Sequence, residues 1–243
     1  MPPGFFAGNM SYLATIPSCV FYVRATGLNG GTIFRDWSNR HQTISSVGSP
    51  VNSSTSQKYP PCSIALNGSQ YLSVPDSDLV ELTSGYVISI LANITQLVYE
   101  YTAYRSALVE KYYNSDEYGL QVRGSSVSSV TSVTWGNGDT DIIEGTSNLP
   151  SLGAWHRYTV SKPNDSSTVT LYVDGNVSGI GTAASAPTQN SSPLLIGKMN
   201  VQGLGLTWGL DGYVDEAAMW NGAYGALPDP TKITTLTRRM IVG

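Results

Sequence analysis

Charge is scarce in this chain: Asp, Glu, Lys and Arg make up 12% of 243 residues. A protein built on long helices needs more Glu, Lys, Leu and Ala than this. Only 229–240 has a pattern compatible with a short helix, and it reads equally well as a tail. The small excess of charge is acidic, with a net charge of −4. No basic face is available for phosphate contacts, which excludes nucleic acid as a partner. There are two cysteines, Cys19 and Cys62, too few for a disulfide scaffold and without metal-site spacing. Each opens an apolar run, and both read as buried thiols. The two histidines, His41 and His156, show no zinc spacing and lie in no nucleophile motif. No apolar run is long enough to span a membrane as a helix. Met1–Ser18 holds no Lys or Arg and no signal-peptide core, which suits a chain made and assembled without secretion or one from which a signal has been removed.

What remains is rich in Gly, Ser, Thr, Asn, Tyr and Val, the composition of strands and tight turns. Strands are predicted at 19–25, 32–36, 63–66, 71–74, 86–94, 107–111, 119–123, 127–135, 155–161, 168–173, 176–179, 194–196 and 213–220. In 86–94 both parities are apolar, so this strand is expected to be covered on both faces. Asn67-Gly68 and Asp174-Gly175 are hairpin turns, because both residues of each pair tolerate positive φ. Residues 48–61 read as a Ser- and Pro-rich loop. About a dozen short strands at regular spacing define an all-β, two-sheet antiparallel sandwich.

Five segments, taken in order, resemble the laminin-G-like and concanavalin A-like lectin jelly rolls. They are Cys62-Ser-Ile-Ala-Leu-Asn-Gly-Ser-Gln-Tyr-Leu-Ser-Val-Pro75, Leu152-Gly-Ala-Trp-His-Arg-Tyr-Thr-Val160 and Leu171-Tyr-Val-Asp-Gly175, then Leu195-Ile-Gly197 and Gly212-Tyr-Val-Asp-Glu-Ala-Ala-Met-Trp-Asn221. The resemblance implies a jelly-roll sandwich whose core includes Trp155, Leu171, Val173, Ile196 and Met219. Gly27-Leu-Asn-Gly-Gly-Thr-Ile-Phe-Arg-Asp-Trp-Ser-Asn39 further resembles the version of this domain found in tailed-phage structural proteins.

The chemistry-bearing residues are few. Asp139, Asp141 and Glu144 resemble the three-carboxylate strand of β-glucanases in the same superfamily, since retaining hydrolysis needs paired carboxyls. The first position is a methylene short, the spacing to Trp155 is wrong and no aromatic flanks the group. An acidic, Gly/Asn-rich loop explains it as well, and no enzyme activity is expected. Asp36 shares parity with Phe34, and Asp215 with Met219, so both carboxylates lean inward and must be satisfied. Hydrogen bonding is the stronger reading for both. Calcium is the one cofactor the resemblance raises, with Asp36 and Asp215 as its candidate ligands. Tyr99, Tyr101, Tyr104, Tyr112, Tyr113 and Tyr118 cluster in sequence, as in sugar-stacking surfaces, interfaces or ordinary strands.

The expected organisation is an N-terminal arm (1–18), a laminin-G-like domain (19–224) and a C-terminal tail (225–243). Phe5, Phe6, Met10 and Tyr12 give the arm an apolar character that suits assembly contacts. The leading expectation is a non-catalytic virion structural protein, a capsid decoration or cement protein or a tail-associated one. Its partners would be capsid or tail proteins or further copies of itself, with host surface glycans an added possibility. The alternative is a carbohydrate-binding, lectin-like module that acts extracellularly.

Overall fold

The computed structural model describes residues 16–82, 84–100, 102–111, 118–137, 140–183, 189–201 and 206–233. Two eight-stranded antiparallel sheets face each other. The first runs β14 (Asn176–Thr182), β13 (Thr168–Val173), β12 (Trp155–Lys162), β6 (Tyr86–Gln96), β18 (Asp211–Asn221), β4 (Ser63–Asn67), β3 (Val51–Ser53). Here β1 (Cys19–Arg24) also pairs with β18. The second runs β11 (Thr140–Gly145), β10 (Ser129–Asn137), β9 (Tyr118–Ser126), β8 (Ala103–Lys111), β15 (Leu194–Ile196), β5 (Tyr71–Val74), β2 (Ser45–Val47), with β7 (Val98–Glu100) on β8. A separate hairpin, β16 (Lys198–Val201) and β17 (Leu206–Gly209), completes the set. This is the all-β antiparallel sandwich expected from the strand pattern.

Strand parity explains the core. Ile88, Ile90, Ala92 and Ile94 of β6 face the second sheet together with Tyr158, Val160, Leu171, Val173 and Met219. Leu120, Val122, Val133 and Trp135 answer from the other side. Trp135 is fully buried between Tyr86 and Tyr118, each with ring centroids 5.5 Å away. Strand β6 is buried on both faces from Tyr86 to Ile94. Its outer face carries Val87, which joins Cys19, Tyr22, Ala218, Trp220 and Ile233 in a second apolar cluster.

Turn chemistry fixes the β13–β14 hairpin, where Asp174 and Gly175 both adopt positive φ (52° and 79°), as a tight primed turn requires. Beyond it the edges of the two sheets approach. A Cβ on Gly179 would stand 2.8 Å from Ile143 Cγ2 and 2.9 Å from Gly145 Cα. Only glycine permits that closure.

Several sequence expectations are corrected. Trp155 is half-buried rather than a core anchor, because it pairs with Asn93 on the outer parity of the first sheet. Trp135 takes the central place. Residues 32–36 form no strand; Asp36 makes one isolated bridge to Val23. Residues 140–145, read as loop, are the edge strand β11, and 51–53 within the Ser-rich loop are β3. Of the segment set apart as a tail, Leu227 and Ile233 pack in the cluster on the outer face of the first sheet, and Ile233 is fully buried there. The 229–240 helix lies mostly outside the described residues, as do Phe5, Phe6, Met10 and Tyr12.

The packing makes a contrast between two tryptophans. Trp135→Ala should destabilise the fold by about 3–5 kcal/mol, and Leu171→Ala by about 2–5 kcal/mol. Trp155→Ala should cost well under either. Urea denaturation of the three variants checks this, and a larger loss at Trp155 than at Trp135 would refute the register described.

Candidate binding face

The outer side of the second sheet is polar where its inner side is apolar. In β8–β11 the register sets Arg105 beside Arg123 and Ser132, and Ala107 beside Gln121, Thr134 and Glu144. The alternate positions, Leu120, Val122, Val133, Trp135 and Ile143, belong to the core. The β16–β17 hairpin lies over part of this face and brings Met199 and Trp208 against Ala107. The Trp208 ring sits 4.5 Å from the Arg105 guanidinium, a cation–π contact. Arg105 Nη1 donates to Gln121 Oε1 at 3.1 Å.

Among the described residues, four buried polar atoms on this face and its cover have no hydrogen-bond partner: Gln121 Nε2, Ser132 Oγ, Thr134 Oγ1 and Trp208 Nε1. Gln121 and Thr134 are 0% exposed, Ser132 1% and Trp208 5%. Each such group costs about 1–3 kcal/mol when left unsatisfied. Buried polar atoms without a protein partner call for an explanation, and a ligand that supplies the missing bonds is one. Donors, acceptors and an indole in one place are the elements that recognise a hydroxyl-rich ligand. Alternation in 132–135 could have shown which residues face outward; the cover from β16–β17 could not be read from sequence.

The outer side of the first sheet carries a bonded network, and beside it Arg24 Nε, Trp37 Nε1, Asn93 Oδ1 and Asp215 Oδ1 are likewise buried with no hydrogen-bond partner among the described residues. Arg157 Nη2 pairs with Glu216 Oε2 at 2.6 Å, and Tyr22 donates its hydroxyl proton to Glu216 Oε1 at 3.3 Å. Arg157 Nη1 donates to Ser89 Oγ, which contacts Thr159 Oγ1 at 3.0 Å. Burial disfavours the charge on Arg157, but the Glu216 carboxylate more than compensates and raises its pKa.

The structure separates the residues singled out in the sequence. Asp36 accepts from the N–H groups of Tyr22, Ser38 and Gln42 and from the Ser38 hydroxyl, at 2.7–2.9 Å. It staples the 36–42 turn to β1. Asp215 occupies a bulge where the neighbour of β18 changes from β4 to β1. Its Oδ2 accepts from the N–H groups of Lys58 and Tyr59, and Arg24 Nε stands 3.8 Å from Oδ1. Among the described residues no three His, Cys, Asp or Glu side chains are grouped to hold a metal. Glu144 is exposed on β11, and Asp139 lies outside the described residues. Tyr99 and Tyr104 pack 4.7 Å apart, while Tyr118 is in the core; Tyr101, Tyr112 and Tyr113 lie outside the described residues.

Fold and face together define a lectin-like antiparallel sandwich. Residues 66–226 match the laminin-G-like family described as the concanavalin A-like lectin/glucanases superfamily, and the chain belongs to it. A sequence search against curated proteins finds no match. Among solved structures the chain is similar to domain 4 of AbnA, an extracellular arabinanase of Geobacillus stearothermophilus, solved with arabinotriose. The TM-score is 0.62 at 17% identity, covering 90% of this chain and 98% of that one. It is also similar to the binding domain of botulinum neurotoxin serotype C1 (TM-score 0.63, 13% identity, 92% of this chain). The binding domain of Paraclostridial Mosquitocidal Protein 1 gives TM-score 0.62 at 14% identity over 93% of this chain. The chain spans about half of these two toxin domains, 52% and 53%. At such identities the likeness concerns the fold.

Asp215 gives the fold a pH dependence. Burial pushes its carboxyl up to about 7; the Tyr59 N–H pulls it down, the neighbouring Glu216 pushes it up, and Arg24 and the Lys58 N–H pull it down. The folded state therefore holds this proton more tightly than the unfolded chain. Its contribution to stability is greatest at low pH and is lost as pH rises through about 7. The thermal midpoint of wild type should rise between pH 8 and pH 6. Asp215→Asn should flatten that rise and be at least as stable at pH 8. A wild-type slope that Asp215→Asn leaves intact refutes the assignment.

Proposed function

We infer that the protein is a glycan-binding module without glycosidase activity, and that the outer face of the second sheet is its binding face. The observation that carries this is the set of four buried, unpartnered polar atoms on Gln121, Ser132, Thr134 and Trp208. A carbohydrate supplies hydroxyls that donate and accept at once, and C–H faces for an indole. The arabinanase domain of like fold was solved with an arabinose oligomer, which supports the class of ligand. The only member of the glucanase-like carboxylate group with a described side chain, Glu144, is exposed on an edge strand, which favours binding over glycosidic cleavage.

A second reading, a capsid decoration or tail-associated virion protein, is favoured by one surface. Leu28 and Ile33 are 87% and 74% exposed on the loop after β1. That loop carries the pattern resembling phage structural domains. The two readings are compatible, since a particle-borne domain can present the same face to host glycans. On this reading, Leu28→Ser with Ile33→Ser leaves the fold intact and removes the protein from particles, as sedimentation would show. Unchanged particle occupancy would sink it.

The binding reading makes stability and affinity move in opposite directions. Ser132→Ala with Thr134→Val removes two unsatisfied hydroxyls and should stabilise the free protein by about 1 kcal/mol or more. The same pair should weaken oligosaccharide binding at least about tenfold. Calorimetric titration with neutral and acidic oligosaccharides, arabinotriose among them, reads the second effect. Unchanged affinity in the double variant would place binding elsewhere.

A further inference from the structure

Where β12 begins and the β13–β14 turn closes, three side chains converge. His156 Nδ1 lies 2.7 Å from Asp174 Oδ2, and His156 Nε2 lies 3.0 Å from Ser151 Oγ. The Ser151 backbone N–H donates to the same Nε2 at 3.1 Å. That last bond decides the tautomer. A backbone N–H can only donate, so Nε2 presents its lone pair. The proton of the neutral ring is therefore on Nδ1 and is donated to Asp174. The second carboxylate oxygen, Asp174 Oδ1, accepts from the Arg157 N–H at 2.8 Å, which fixes how the carboxylate meets the ring. Desolvation would raise Asp174, but the hydrogen bonds from His156 and the Arg157 N–H outweigh it and hold the carboxyl below its ordinary range. Ser151 is exposed, and the His156 side chain is 17% exposed.

We propose that Ser151, His156 and Asp174 form a nucleophile, a base and a positioning residue that hydrolyse short-chain carboxylic esters. The distances, the tautomer and the order of contacts are those such chemistry requires. Ser151 Oγ adds to the ester carbonyl carbon as its proton passes to Nε2, and the carbonyl π pair moves onto oxygen. Protonation removes the Nε2 lone pair and so frees the Ser151 N–H, which then donates to the developing oxyanion. When the carbonyl re-forms, the alkoxide leaves with the proton from Nε2 as an alcohol. Water then adds to the acyl-serine and gives its proton to Nε2. Collapse releases the carboxylic acid and returns the proton to Ser151. Ester and water become acid and alcohol, and no other reactant is needed. The exposed position of Ser151 fits small acyl groups carried on a larger molecule, such as acetyl esters. This proposal stands apart from the glycan-binding face, on the other sheet.

The test uses the full chain with p-nitrophenyl acetate and a fluorophosphonate label. Wild type should hydrolyse the ester with saturation and carry the label on Ser151, located by peptide mass spectrometry. Ser151→Ala and His156→Gln should each lower the rate by about a hundredfold or more. Hydrolysis by His156→Gly should be partly restored by added imidazole at concentrations that leave its thermal midpoint unchanged, which separates a base from a cap. Asp174→Asn keeps an acceptor for the Arg157 N–H and should lower kcat with KM unchanged. Circular dichroism and the thermal midpoint confirm that each variant is folded. Failure to label Ser151, or equal hydrolysis by wild type and Ser151→Ala, overturns the proposal and leaves His156 as a cap on the 148–153 turn.

Discussion

Burial of both faces of the central pair β6–β18 is the constraint on which the rest of the structure depends. One face is met by the second sheet and is filled with aliphatic side chains. Among the described residues no sheet lies above the other face, and loops and the segment reaching Ile233 cover it. The loop after β3 does part of this: Asp215 accepts its backbone N–H groups at Lys58 and Tyr59. The segment reaching Ile233 covers another part. Under such a cover an unpaired charge would be costly, and the charges present are paired: Arg157 with Glu216, Asp215 facing Arg24. Asp215 sits where β18 exchanges one neighbour for another, so a single bulge supplies both the change of partner and the anchor for the loop.

The two outer faces solve the same problem in different ways. On the first sheet hydroxyls and charges are joined into a chain from Tyr22 to Thr159. On the second sheet comparable residues are buried but unmatched at Gln121, Ser132 and Thr134. The first sheet also keeps unmatched atoms, Arg24 Nε, Asn93 Oδ1 and Asp215 Oδ1, but beside a bonded network that crosses β1, β18, β12 and β6.

The fold was legible because its signals are local. Asp174-Gly175, the alternation of 168–173 and the doubly apolar 86–94 each dictate one element without reference to the others. The choice of buried tryptophan was not local. Trp155 and Trp135 each sit next to β-forming residues, and only the register of β12 against Asn93 turns Trp155 outward. The short edge strand β11 was hidden by glycine, asparagine and acidic residues that ordinarily mark loops. That Asp36 would need hydrogen-bond partners followed from the demand that a buried carboxylate be satisfied; its parity with Phe34 carried no information, because 32–36 form no strand. The partners themselves, at Ser38 and Gln42, were not legible, since they depend on how the turn folds back.

The site at His156 shows how residues far apart in the sequence meet only in the fold. Ser151 belongs to the turn before β12, His156 to the first residues of that strand, and Asp174 to the hairpin beyond β13. His156 and Asp174 each lie in one of the segments that carry the family resemblance, but only the pairing of β12 with β13 brings them together beside Ser151. The frame is rigid at each point. Asp174 is held at positive φ by its turn and through Oδ1 by the Arg157 N–H, and Arg157 is itself locked under Glu216. The imidazole is thus oriented by a carboxylate that has no freedom to rotate away, which is the preorganisation a base needs before it meets a substrate. The same rigidity would serve a histidine that only caps a turn. The difference lies in Nε2, whose lone pair is shared between a backbone N–H and an exposed hydroxyl, and of those two only the hydroxyl has a proton to give up.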